Sequence, residues 1–268
     1  MKDLKYYLEK AKREKWAIGQ FNFSTLEQLK GIMKAAAKMK SPVILGTSEG
    51  ELKFLGVKEA VALVEILKTE YNVSAFLNLD HGKDLKLIKK AIDYSYSAVH
   101  FDGSSLNFER NIEYAKKVVF MAHKKGLLAE GELDDIERGS FTDPGRAKEF
   151  VEKTKIDSLA VAIGSIHACY KNIKLDFDRL RKISEKVDCF LVLHGGSGVP
   201  NIQIKKAIKL GINKININTE LRMAWRQGVE KGFKNKEIKP YKVLPEAEKS
   251  VQKKVEEKIK LFSSFNKI

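Results

Sequence analysis

Five histidines stand in this 268-residue chain, at positions 81, 100, 123, 167 and 194. His81 closes the run LNLDHG, His167 follows in GSIHA, and His194 opens HGGSG. Each comes at the end of a short apolar, β-branched run, the pattern of a strand leaving the core. Three neutral imidazoles meeting at one point, with one position left for substrate, make the coordination of a catalytic Zn²⁺ centre. A single histidine at a strand end is ordinarily a hydrogen-bonded structural residue. Three at equivalent ends, out of five in all, depart from scatter. His123 shows what scatter looks like, near a helix C-terminus where a cation is mildly favoured. His100 lies inside a strand-like run, and the sequence leaves its direction open.

Carboxylates crowd the same positions. Asp80 adjoins His81, Asp102 follows another run, and Glu130 and Glu132 alternate at the end of a third. Strand side chains alternate, so Glu130 and Glu132 share a face, while Asp80 and His81 diverge unless the strand is already ending, as Gly82 suggests. One of that pair then binds metal and the other handles a substrate proton. Asp102-Gly-Ser-Ser also reads as a helix cap. The segment HGGSGVP (194–200) passes from a strand into a helix, where backbone N–H groups bind phosphate. Asn216, Asn218 and Thr219 add donors in the next strand, with Arg222 one turn beyond.

These residues need a frame that gathers strand ends. Eight strand-length runs occur at 17–23, 42–48, 74–81, 98–104, 127–133, 158–165, 189–196 and 214–220. Between them lie stretches of helical periodicity, such as LEQLKGIMKAAAKMK and FERNIEYAKKVVFMAHKKG. Strand then helix, eight times, predicts an α/β protein, a (β/α)₈ barrel whose active-site face is the rim of strand C-terminal ends. An open doubly wound sheet would show the same alternation. No Pro/Gly/Ser-rich linker divides the chain, so residues 1–268 read as one domain, with an extra C-terminal helix at VQKKVEEKIKLF.

Lys and Arg number 50 against 35 Asp and Glu, a formal charge of +15. That balance admits nucleic acid or a small anionic ligand as partner. No nucleic-acid motif accompanies it, and the basic residues are spread over many helices, so no nucleic acid partner is expected. Two cysteines exclude a disulfide scaffold, and no run of apolar residues is long enough to span a bilayer. The charged N-terminal segment lacks the apolar stretch of a signal peptide, so the expectation is a cytoplasmic protein with no membrane partner.

With these residues in place, the sequence resembles the class II, metal-dependent ketose-bisphosphate aldolases, the group containing fructose- and tagatose-bisphosphate aldolases. The likeness runs from about residue 10 to about residue 230 through FNFSTLEQL, SPVILGTSEG, LDHG, FDGSSLNFERNI, GEL, TDP, LAVAIGSIHACYK, LDFDRL, LVLHGGSGVP and KININTELR. The resemblance implies Zn²⁺ on His81, His167 and His194, and Asp80 as the catalytic acid and base. It implies one phosphate among Gly195, Ser197, Lys171, Asn218 and Thr219, and the far phosphate on Arg222. Asn22, Ser48 and Asn216 would line the substrate pocket, Glu132 would sit close to the metal, and Asp102 would support the ligands from behind. It also implies a homodimer or homotetramer, and allows a monovalent cation, Na⁺ or K⁺.

The implied reaction is cleavage of the C3–C4 bond of a ketose 1,6-bisphosphate, with no Schiff-base lysine required. Three departures from the family pattern stand out. Ala168 replaces the usual Gly after the second histidine. Asn218 stands where fructose-bisphosphate enzymes carry Asp and tagatose enzymes Ala, which leaves the sugar's stereochemistry open. The loop from Glu132 to Asp143 is short, leaving Asp134, Asp135 or Glu137 as its acid. The rival readings are a metal-free phosphate-binding barrel such as an isomerase, and a polyanion-binding barrel.

Overall fold

The eight strand-like runs become eight strands, and the sheet they form has no edge. In the computed structural model, which describes residues 2–136, 139–165, 173–234 and 237–268, the strands are β1 (Ile18–Asn22), β2 (Val43–Ser48), β3 (Ala75–Gly82), β4 (Ala98–Asp102), β5 (Leu128–Glu132), β6 (Ser158–Ala160), β7 (Phe190–Leu193) and β8 (Ile212–Ile217). They lie in sequence order in a closed barrel, every neighbouring pair parallel, with β1 hydrogen-bonded to β8. Closure excludes the open doubly wound sheet.

Helices cover the outside: α1 (Leu4–Glu14), α2 (Leu26–Met39), α3 (Glu49–Leu55), α4 (Val57–Tyr71), α5 (Leu85–Asp93), α6 (Phe108–His123), α7 (Pro144–Thr154), α8 (Phe177–Lys186), α9 (Asn201–Lys209), α10 (Thr219–Gly232) and α11 (Pro240–Leu261). Their starts carry sequence-encoded caps. Thr25 and Gln28 close a capping box on α2, Asn107 caps α6, and Asp143 precedes the Pro at the start of α7.

Strand alternation sorts the residues into two environments. One set, including Phe21, Leu45, Leu79, Val99, Phe101, Leu191 and Ile215, packs against the helices in the main apolar core. The other set faces the barrel axis. Its lowest tier, with Ile18, Ile44, Phe76, Ala98 and Phe190, is sealed by Leu4, Tyr7, Leu8 and Ala11 of α1 together with Trp16. Above that plug the interior turns polar. Gln20, Asn22, Asn78, Asp80, His100, Glu130, Glu132, Lys214 and Asn216 are all buried there. Burying so many polar groups costs stability unless they are paired, and Gln20, Asn22, Asn78, Asp80, Glu130, Lys214 and Asn216 hydrogen-bond among themselves.

The C-terminal helix expected at VQKKVEEKIKLF begins earlier, at Pro240, and is more than a surface element. Val243, Ala247, Val251, Val255 and Ile259 recur every fourth residue and form a buried stripe. This stripe packs α11 against α10 and α2 at close range. A Cβ at Gly228 would lie 2.4 Å from the Ala247 Cα, and one at Gly31 would lie 2.7 Å from the Glu248 carbonyl oxygen.

Candidate metal and phosphate-binding site

Asp80 and His81 both reach the same cavity, although strict alternation would send them apart. The reason is a register irregularity between Leu79 and Gly82, where β3 pairs with β4. His81 there adopts φ +50°, a left-handed conformation uncommon for residues other than glycine. The strand therefore continues through Gly82, and a bulge does what a strand end was expected to do. Its backbone N–H donates to His100 Nδ1 at 3.0 Å, which fixes the bulge. His100 thus points into the barrel, a direction that the sequence left open.

Three imidazole rings cluster at the rim, with centroid separations of 4.6 to 4.8 Å. His81 Nε2 and His194 Nδ1 face each other at 2.9 Å. The other nitrogen of each ring is backed by a carboxylate: His81 Nδ1 lies 3.1 Å from Asp102 Oδ2, and His194 Nε2 lies 2.7 Å from Glu130 Oε1. Glu132 Oε2 stands 3.4 Å from His81 Nδ1 and 3.3 Å from His100 Nε2. Paired imidazoles oriented by carboxylates on their far side are the ligand geometry of a metal centre. One donor atom each from Asp80, His81, His100 and His194 falls within a 4.8 Å group, and a second group joins His81, Asp102 and Glu132. The donor set of imidazole and carboxylate therefore fits Zn²⁺.

The charges are strongly coupled. Burial opposes the imidazolium of His81, yet Asp80, Asp102 and Glu132 outweigh it and push the ring up to about 10. Burial carries His194 the other way, to about 4, with His81 and His100 adding repulsion against the pull of Glu130. The carboxylates that favour a charged ring at His81 would equally favour a metal cation between the two rings.

Asp80 is held from both sides. Asn216 Nδ2 donates to Oδ1 at 3.0 Å and Asn22 Nδ2 donates to Oδ2 at 2.9 Å. Burial alone would raise this carboxyl, but His81, His194, His100 and Lys214 hold it well below the usual carboxylate range. Gly46 makes room for the arrangement, since a Cβ there would lie 2.2 Å from Asn22 Oδ1.

The cavity above these groups has a volume of about 390 Å³. Ser48, Asp80, His81, Asp102 and His194 line one part of it, and Gly195, Ser197, Asn216, Asn218, Thr219 and Arg222 the other. Asn22 and Glu132 support it from behind. The phosphate expectation needs one correction. Helix α9 starts only at Asn201, and within the glycine loop the Gly196 and Gly198 N–H groups are committed to the Asn216 carbonyl and to Glu220 Oε1. The helix start that meets the cavity is that of α10, through Asn218 and Thr219. Gly195 and Gly198 take φ +63° and +81°, and this lets the loop turn back over the histidines.

His167, Ala168 and Lys171 lie outside the described residues, as does Glu137. Asp134 and Asp135 are not among the groups lining the cavity. Two residues absent from the sequence reading emerge as hubs. Glu51 accepts from Asn22 Nδ2, the Ser48 N–H, Asn218 Nδ2 and Arg222 Nη2 at 2.8 to 3.1 Å. The Ser48-x-x-Glu51 capping box was its visible signal. Lys214, buried inside β8, donates to Glu130 Oε2 at 2.5 Å. Glu130, itself only noted as sharing a face with Glu132, bridges Lys214 to His194.

Comparison with known proteins agrees with this geometry. The family described as fructose-bisphosphate aldolase class-II matches residues 2–267. A 6-phospho-5-dehydro-2-deoxy-D-gluconate aldolase of Shouchella clausii is 39% identical, the match covering 97% of this chain and 94% of the relative. A probable fructose-bisphosphate aldolase of Bacillus subtilis is also 39% identical, over 97% and 96% of the two chains. The crystal structure of the YdjI aldolase from Escherichia coli K12 superposes with a TM-score of 0.90 at 34% identity, covering 99% of this chain and 98% of that one.

Proposed function

The chain belongs to the class-II fructose-bisphosphate aldolase family, and on that premise we propose that it reversibly cleaves a ketose 1,6-bisphosphate, first of all fructose 1,6-bisphosphate. The products are dihydroxyacetone phosphate and glyceraldehyde 3-phosphate. The observation that carries this reading is the Asp80 carboxylate, clasped by two amide donors beside the facing imidazoles of His81 and His194. Those two histidines, with His167, would hold Zn²⁺. Bound there, the ion supplies Lewis-acid polarisation of the C2 carbonyl.

Asp80 does the proton work. In cleavage its carboxylate takes the C4 hydroxyl proton as the C3–C4 bond breaks and the electron pair passes to the keto half. In condensation it returns that proton. Asn22 and Asn216 aim its two oxygens, so the base is in place before substrate arrives. Asp102, Glu130 and Glu132 hold His81 and His194 in orientation. Gly195, Ser197, Asn218 and Thr219, with Lys171, receive one phosphate, and Arg222, steadied by Glu51, meets the other. The enzyme works in this reading as a cytoplasmic homodimer or homotetramer, with Na⁺ or K⁺ as a further activating ion.

Tagatose 1,6-bisphosphate is the second reading, supported by Asn218. Its amide donates to Glu51 Oε1 at 3.1 Å, so no carboxylate stands at that position to select a hydroxyl configuration. Identity does not choose the sugar either, because two relatives equally similar to this chain carry different substrate names. A coupled assay that detects dihydroxyacetone phosphate from each diastereomeric bisphosphate tests the proposal. Cleavage of the fructose compound at the higher kcat/KM supports it; cleavage of neither overturns it.

A further inference from the structure

Lys83 lines the same cavity as the glycine loop, and neither the metal centre nor the proton transfer uses it. We propose that Lys83 is a specificity-determining residue that receives the anionic group at the substrate end remote from the glycine loop. The proposal rests on the aldolase reading and assigns a further residue to the second anion of its substrate.

The barrel sets the span. Gly195 and Ser197 follow β7 and Lys83 follows β3, four strands apart in a ring of eight, so the two stand on opposite sides of the rim. His81 and His194 lie between them. A ligand with one phosphate on the glycine loop that extends across the histidines therefore brings its other end toward Lys83.

The lysine is anchored at its base. Its backbone N–H and that of Asp84 both donate to Glu49 Oε1, at 2.7 and 2.8 Å, tying the turn to the start of α3. Its side chain is 58% exposed, and Nζ stands 3.3 Å from Asp102 Oδ2. That same oxygen is the one facing His81 Nδ1. The two carboxylates that orient the paired histidines are thus each matched by a lysine, but the two lysines differ. Lys214 is buried against Glu130, whereas Lys83 has a solvent-exposed stem. An ammonium on a flexible four-carbon chain can turn from Asp102 to an arriving anion while Asp102 keeps His81.

Carboxylates crowd this side of the cavity and favour a cation beside them. Asp80, Asp102 and the hub Glu51 put three carboxylates around this side of the cavity. A second anion arriving there without a counter-charge would be repelled. Arg222 comes in from the β8 side, held by Glu51 Oε1 at 3.0 Å. Lys83 supplies the neighbouring cation from β3.

The test compares two ligands that cannot be cleaved, a hexitol 1,6-bisphosphate and the corresponding hexitol 1-phosphate, by calorimetric titration of the full-length zinc-loaded protein. Lys83→Met is expected to weaken the bisphosphate at least tenfold and the monophosphate less than twofold, and Lys83→Arg to restore most of the loss. Equal weakening of both ligands would mean that Lys83 acts only through Asp102 and His81, and would overturn the proposal, as would no change in either. Because binding is read without turnover, a wild-type protein that cleaves no ketose bisphosphate would refute the aldolase reading separately.

Discussion

At the scale of single residues, the site is a set of aimed pairs. Asp80 shares its cavity with His81 because the left-handed backbone of His81 turns two consecutive side chains to one side. Its two oxygens are fixed by Asn22 and Asn216, so its removal should touch proton transfer and leave the histidines standing. Asp80→Ala is expected to lower kcat by roughly 10²–10⁴ while the purified protein still binds zinc; loss of zinc together with activity would make Asp80 a ligand instead. Much of this site was legible in the sequence. His81 and His194 stand at strand ends in motifs that announce themselves, whereas the direction of His100 stayed open until the strands were in register. The bulge was not legible, because nothing in the residue type of His81 encodes a positive φ. Nor were Glu51 and Lys214. A capping box marks Glu51 locally, but its contact with Arg222 spans 171 residues and exists only once the barrel has closed.

At the scale of elements, the glycine loop after β7 is positioned by a helix that follows the last strand. Glu220, in the first turn of α10, accepts the Gly198 N–H at 2.9 Å and a bond from the buried Lys258 of α11 at 2.8 Å. Burial opposes ionisation of Glu220, but Lys258 and the Gly198 N–H keep its carboxyl below the ordinary range. The C-terminal helix therefore braces the loop that turns over the histidines. Its amphipathic pattern was readable, but its role was not, since a stripe of every fourth residue says that a face is buried and not against what. Gly228 marks how closely α11 approaches α10. Helix propensity alone would make Gly228→Ala stabilising by about 1 kcal/mol. The contact with the Ala247 backbone instead predicts destabilisation of about 1–3 kcal/mol, read from the urea midpoint; a raised midpoint would show that this packing is slack.

At the scale of the whole molecule, closure of eight parallel strands explains how residues from 22 to 222 meet at one rim. Counting strand-like runs was enough to suggest a barrel, while the polar interior above the α1 plug emerged only with the strands in register. The formal charge of +15 takes on a limited role. Among the described residues no helix is long and apolar enough to cross a membrane. A substrate with two phosphates would be drawn to a basic surface, so kcat/KM should fall as ionic strength rises past the point where the Debye length drops to about 10 Å. A salt-independent kcat/KM would show that the surface charge plays no part in substrate capture. Chelation separates metal-dependent aldol cleavage at the His81–His194 pair from any metal-free chemistry. Treated with a strong chelator, the protein should lose bound zinc and cleavage of fructose 1,6-bisphosphate together and recover both when one equivalent of Zn²⁺ is returned. Full cleavage by protein shown to be free of metal would contradict it.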